Sequence, residues 1–185
     1  MALLRAENKA RTVRAYFPLY ASYGPNMATP ENAPRWADFL NPDDETLDRL
    51  RHAGRGATSL VAVGTPWDTV GGQWEALAIA PLERGLAALD VLALPFDGGH
   101  PVFADLARNE LVVLVPAGTA IEGPQGVRAL KPGTYLVVPH GPAGGFVAAW
   151  LSRPTRGCTR YVDAVRVREA VLVAETRRVK HARAR

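Results

Sequence analysis

The chain has 185 residues, of which 48% are hydrophobic and 22% are charged, and its formal net charge at pH 7 is +4. Its length suits one domain of ordinary size, and it contains neither a run of about eighteen apolar residues nor the pattern of a secretory leader. The composition therefore predicts a soluble cytoplasmic protein without a membrane span. Cys158 is the single cysteine, which excludes a disulfide within the chain and a cysteine-based zinc site.

Positive charge is concentrated at the C-terminal end of the chain. Residues 1–152 carry 12 basic and 15 acidic side chains, whereas residues 153–185 carry 10 and 3, so the net charges are −3 and +7. Basic segments of this kind attract phosphate backbones or acidic proteins through counterion release and electrostatic steering. We therefore predict a domain over residues 1–152 and a basic helical extension over residues 153–185, with nucleic acid or an acidic protein as partner.

The N-terminal residues predict two short elements followed by a loop. Residues 2–11 have the Ala, Leu, Arg, Glu and Lys content of a short helix. Residues 13–17 predict a strand that ends at Pro18, and residues 20–34, which are rich in Gly, Pro and Asn, predict a loop.

A clear helix start follows at residues 41–42. Asparagine is a favoured N-cap, proline is favoured at the first helical position, and the acidic residues 43–45 lie where the helix dipole is positive. We expect this helix to run through Leu47 and Leu50 toward Gly54.

The middle of the chain consists of short apolar segments separated by Gly or Pro. Leu82–Leu92 predicts a helix, because Leu82, Leu86 and Leu89 recur at helical spacing on one face. The other apolar segments predict strands, and the last four of them are expected to form an antiparallel run. The predicted strands are Thr58–Val63, Trp74–Ala80, Val102–Ala104, Leu111–Val115, Tyr135–Val138 and Phe146–Leu151.

The C-terminal part predicts one long basic helix over Tyr161–Lys180. The β-branched side chains in this stretch oppose the assignment, because they lose rotamer freedom in a helix; they include Val162, Val165, Val167, Val171 and Val173. The order of all elements predicts an α+β domain with a mixed sheet, flanking helices and a C-terminal basic helix.

Residues 126–140 combine a turn glycine, a strand that contains Tyr135 and a closing Pro139. This outline is similar to the third signature of the bifunctional DNA primase/polymerase (prim-pol) domains of the archaeo-eukaryotic primase superfamily. The resemblance extends in order and spacing over roughly residues 8–151. Further segments also carry the resemblance, and the family motif that each one resembles is given in parentheses. They are Tyr16–Leu19 (V-F-P-L), Ser59–Gly64 (N-V-G-V-A-T-G), Ala76–Pro81 (a strand that ends in Asp-x-Asp), Ala107–Val113 (G-G-R-H-x-Y-F) and Gly145–Trp150 (Y-x-W).

The resemblance implies a primase/polymerase-like fold whose metal ligands are lost. Working members hold divalent metals with carboxylates from adjacent strands, and a histidine helps to hold the triphosphate. In this chain the two acids of the first signature become Ala78 and Ala80, the acid of the third becomes Arg128, and the histidine becomes Glu110. We therefore expect no metal site, no cofactor and no polymerase activity, and we expect Glu110 and Arg128 to form an ion pair in the former cleft.

Further candidate residues are basic. Arg108, Lys131 and His140 are candidates for the cleft. The candidates for nucleic-acid contact in the basic extension are Arg153, Arg156, Arg160, Arg166, Arg177, Arg178 and Lys180.

Three functions fit these features. The first is a catalytically inactive primase/polymerase-like protein that binds nucleic acid or serves as a replication accessory module. The second is a protein-interaction or assembly subunit that uses the fold as a scaffold and binds no nucleotide. A homo-oligomer is compatible with this function. The third is a nucleotidyltransferase whose metal ligands have moved.

Overall fold

The computed structural model describes residues 58–95, 98–141, 144–145, 147–155 and 159–183. The helix predicted over residues 2–11, the strand predicted over residues 13–17 and the helix predicted from residue 42 toward Gly54 lie outside the described residues, as do Arg156 and Cys158.

The described residues form seven strands and two helices. The α+β class, the flanking helices and the C-terminal basic helix are confirmed. In chain order the elements are β1 (Thr58–Ala62), β2 (Trp74–Ile79), α1 (Leu82–Leu92), β3 (Val102–Asp105), β4 (Glu110–Pro116), β5 (Val127–Leu130), β6 (Tyr135–Pro139), β7 (Ala148–Ser152) and α2 (Ala164–Arg183).

The strands divide between a five-stranded sheet and a two-stranded ribbon. The sheet has the order β5-β2-β4-β3-β7, the ribbon consists of β1 and β6, and every pairing is antiparallel. The expected run of the last four predicted strands is therefore interrupted. The strands β3 and β4 do pair, but β6 leaves to pair with β1, and β7 returns to pair with β3.

Both faces of the five-stranded sheet are covered. One face packs against α1 and α2 through residues such as Leu77, Leu111 and Val113. The opposite face packs against the ribbon, and there Trp67 stacks on Trp150 with ring centroids 5.4 Å apart. Burial on both faces explains why β2 is apolar along nearly its whole length rather than alternating.

The helix α2 is anchored in the core that also contains α1. Its buried residues are small or β-branched and include Val167 and Val171, which are four residues apart and therefore lie on one helix face. The helix begins at Ala164 rather than Tyr161 because an Asp163 carboxylate oxygen accepts a hydrogen bond from the backbone N–H of Arg166 at 2.9 Å. Within the described part of the chain, neither helix has the length and apolar character needed to cross a membrane.

Candidate functional site

The register of the five-stranded sheet brings together on one face the four residues that the sequence comparison aligned with the prim-pol signatures. Ala78 on β2 pairs with Arg128 on β5 on one side and with Val112 on β4 on the other. Because side chains alternate along a strand, Glu110, two residues before Val112, lies on this same face, and so does Ala80, just after β2. This is the face that the ribbon covers.

Glu110 and Arg128 form the expected ion pair across β2. Nη2 of Arg128 donates to both carboxylate oxygens of Glu110, at 2.8 Å each. The pair is carried by β4 and β5, which lie on either side of β2. At the usual strand spacing the distance between β4 and β5 is about 10 Å. The small side chain of Ala78 lies between them, which leaves room for the arginine side chain to cross. The Glu110 side chain is 12% exposed and that of Arg128 is 55% exposed, so a guanidinium open to water covers a nearly buried carboxylate.

A second ion pair lies beside the first. Asp105 at the end of β3 is opposite Glu110 and is only 1% exposed. Its carboxylate accepts hydrogen bonds from the backbone N–H of Arg108 at 3.0 Å and from Nη1 of Arg108 at 2.8 Å. Two acids directly opposite on neighbouring strands would repel, and each is neutralised by its own arginine.

Sequence reasoning had placed Arg108 in the cleft but had missed its partner Asp105. The signal was present, because an aspartate that is followed three residues later by an arginine in a tight turn often accepts a hydrogen bond from that residue's backbone.

The other two cleft candidates occupy different places. Lys131 follows β5 at the end near Ala76, whereas Arg128 lies beside Ala78, so Lys131 is farther from the end of the sheet that holds the ion pairs. His140 follows β6, and its Nδ1 lies 3.3 Å from Oγ of Ser59. Among the described residues, no group of three or more His, Cys, Asp or Glu side chains is arranged to hold a metal ion.

Comparison with known proteins gives no relative. No protein-family model, no curated protein and no solved structure matches this chain. The resemblance to the prim-pol domains therefore stays a prediction from short motifs, and the site has to be judged on its own geometry.

Three of the four basic candidates of α2, Arg166, Arg177 and Lys180, lie along one exposed helix face. Arg177 and Lys180 are eleven and fourteen residues after Arg166, close to three and four turns at 3.6 residues per turn, and all three residues are exposed. The helix carries six Lys and Arg residues and two Glu residues. Its C-terminal turns, from residue 176 to residue 183, are exposed on every side.

The remaining basic candidates have partners or lie away from this face. Arg178 pairs with Glu175 at 2.9 Å, and this hydrogen bond is the main reason that the pKa of Glu175 is lowered. Arg153 is half-buried and has an interaction of its own. Arg160 precedes α2 and is exposed, and its backbone carbonyl lies 2.8 Å from Nδ1 of His100.

Proposed function

We propose that this chain is a primase/polymerase-like protein without polymerase activity that binds nucleic acid, as an accessory module in replication. The observation that carries this proposal is the face of α2 formed by Arg166, Arg177 and Lys180. These three residues span roughly 21 Å of helix axis, at 1.5 Å per residue. The buried residues Val167 and Val171 anchor the N-terminal half of the helix through a neighbouring side, and Arg177 and Lys180 lie on its exposed C-terminal turns.

The two ion pairs support the absence of polymerase activity. Phosphoryl transfer by two metals requires carboxylates that converge on the cations and stabilise the attacking and leaving oxygens. In this chain the carboxylate of Glu110 is held by Arg128 and that of Asp105 by Arg108, while alanines occupy positions 78 and 80. A divalent cation would have to displace two guanidinium groups to reach these oxygens.

The expected mode of binding does not read sequence. Lysine and arginine side chains in a row contact phosphates, which position a protein on nucleic acid and carry no base information. We therefore expect similar affinities for unrelated sequences of the same length and strandedness.

Neutralising the cationic face is expected to weaken DNA binding by more than about tenfold at 50 mM salt, because three phosphate contacts and their released counterions are lost. The variant is Arg166→Gln/Arg177→Gln/Lys180→Gln in the full chain, and fluorescence anisotropy with a labelled duplex and a labelled single strand measures the affinity. Substitution is preferable to deleting α2, because the helix contributes Val167 and Val171 to the core.

The matched control is Arg168→Gln/Arg178→Gln/Arg183→Gln, which removes the same charge from other faces of the helix. We expect this variant to bind more tightly than the first. Equal losses of DNA affinity in the two triple variants would show that binding depends only on the total charge of the helix and not on this face. If the unmodified chain does not bind either DNA at low salt, the proposal is wrong.

A second function, protein interaction, is favoured by one observation on the same helix. Val165, Leu172 and Val179 recur every seven residues, and they are 51%, 47% and 41% exposed. A stripe of this kind beside many cations fits an acidic amphipathic helix of another protein better than it fits another basic copy of α2. Absence of DNA binding together with a stable complex with an acidic protein would favour this second function.

A further inference from the structure

Two half-exposed arginines lie at the end of the sheet that carries the ion pairs. The side chain of Arg108 is 52% exposed and that of Arg128 is 55% exposed. Their carboxylate partners, Asp105 and Glu110, are 1% and 12% exposed, so each guanidinium forms the outer layer of its pair. Because Asp105 and Glu110 are directly opposite each other on β3 and β4, both guanidiniums share this end of the sheet.

Each guanidinium retains hydrogen-bond donors beyond those that hold it in place. An arginine side chain has five N–H donors on three nitrogen atoms. Nη2 of Arg128 donates to Glu110, and Nη1 of Arg108 donates to Asp105. Among the described residues, neither arginine side chain has another acceptor. In each guanidinium, Nε and the second Nη therefore remain for an acceptor that the described protein does not supply.

We propose that Arg108 and Arg128 together bind a phosphate monoester, either a small molecule or the phosphorylated end of a longer one. Such a group carries a charge of about −1.5 to −2 at pH 7 and has three acceptor oxygens, which is enough to engage two guanidiniums at once. The planar guanidinium matches phosphate oxygens in geometry, and hydrogen bonds between two charged groups are roughly twice as strong as neutral ones. The arginines supply the positive charge, so binding requires no metal ion.

The buried carboxylates position the arginines and leave the outer surface to the guanidiniums. Asp105 and Glu110 balance the two positive charges, which limits the affinity for an anion. They lie beneath the guanidiniums, however, and an approaching anion meets N–H groups first. Since each guanidinium is already held at 2.8 Å, little side-chain freedom is lost when the ligand binds.

This inference goes beyond the proposed function. The ion pairs lie at the end of the sheet face that the ribbon covers, whereas α2 packs against the opposite face. Phosphate binding between the arginines and DNA binding by α2 therefore involve different surfaces. Either one can fail without the other.

Titration of the full chain with inorganic phosphate tests the site, with backbone amides followed by nuclear magnetic resonance in EDTA at constant ionic strength. We expect saturable shifts of the amide of Arg108 and of amides beside Arg128, with a dissociation constant on the order of 1 mM. Arg108→Lys and Arg128→Lys keep the charge but lose the guanidinium fork, so each should weaken phosphate binding by about fivefold or more. Arg178→Lys, which changes an exposed ion pair on α2, is the matched control and should leave this affinity unchanged.

Three results would overturn the inference. They are shifts that rise without saturation, shifts confined to α2, and an unchanged affinity in either lysine variant. The amide spectra also report folding, and Arg108→Lys decides alone if Arg128→Lys does not fold. Dimethyl phosphate, a diester with one charge and two free oxygens, should bind several-fold more weakly than inorganic phosphate, and equal binding would also contradict a monoester site.

Two further ligands distinguish the source of the phosphate. Glycerol phosphate represents a small monoester, and an oligonucleotide with a terminal phosphate represents the end of a strand. Both are titrated into the Arg166→Gln/Arg177→Gln/Lys180→Gln variant, so that the cationic face of α2 does not contribute. Tighter binding of glycerol phosphate at Arg108 supports a small-molecule ligand. Tighter binding of the oligonucleotide, lost when its terminal phosphate is removed, supports a strand end.

Discussion

Replacing Gly126 by alanine is expected to lower the free energy of unfolding by about 2–4 kcal/mol, the sum of a backbone term and a steric term. Gly126 has φ +85°, in the left-handed region that side chains disfavour. A Cβ atom there would lie 2.5 Å from the carbonyl oxygen of Ala80 and would also meet the guanidinium of Arg84. Neither group moves easily, because the N–H of Ala80 donates to the carbonyl of Gly126 at 2.7 Å and Arg84 donates to Gln125 at 2.6 Å.

Gly118→Ala is the matched control for this substitution. Gly118 lies in the same β4–β5 connection and has φ +77°, but no atom lies within 4 Å of its potential Cβ. The Gly118→Ala substitution should therefore lower the free energy of unfolding only by the backbone term, about 1 kcal/mol. Urea unfolding followed by circular dichroism measures both variants, and equal losses would contradict the close approach at Gly126.

Replacing Arg128 by glutamine is expected to destabilise the protein by about 1–3 kcal/mol, because the nearly buried carboxylate of Glu110 loses its partner and faces Asp105 across the sheet. The exposed guanidinium limits the loss, since water partly screens the pair. A double-mutant cycle with Glu110→Gln should give a coupling energy of about 1 kcal/mol or more.

The surface pair of Arg178 and Glu175 provides the comparison for the Arg128 prediction. Its side chains are 74% and 35% exposed, so Arg178→Gln should change stability by no more than about 0.5 kcal/mol. The same denaturation measurements apply. A loss at Arg128 as small as the loss at Arg178 would show that the Glu110–Arg128 pair does not stabilise the sheet.

Local patterns predicted most of the described fold, and the errors have physical reasons. The bounds of α1 follow directly from the leucine spacing, and the structure agrees with them. The sequence did not reveal β5 because the strand has only four residues and includes the exposed, charged Arg128. Lys131 and Pro132, which follow it directly, are also untypical of a strand. Nor did the sequence reveal that β6 joins β1 in a separate ribbon, because strand pairing depends on contacts between distant residues rather than on local preference.

The candidate site was only partly predictable. The ion pair between Glu110 and Arg128 was predicted from the resemblance alone, in which these two oppositely charged residues align with a histidine and an aspartate of the prim-pol motifs. The contribution of Asp105 was missed, since spacing alone does not show which acids share a sheet end. The separation of Lys131 from the pair follows from the register of β5 on β2, which only the structure defines.

The dependence of DNA affinity on salt tests the proposed function most directly. For the unmodified chain, log affinity against log salt between 50 and 200 mM should fall with a slope of about −3 for a duplex, as three phosphate contacts require. In the Arg166→Gln/Arg177→Gln/Lys180→Gln variant the slope should approach zero, because each lost phosphate contact reduces the magnitude of the slope by about 1. A slope near zero in the unmodified chain, or an unchanged steep slope in the variant, would contradict binding through this face of α2.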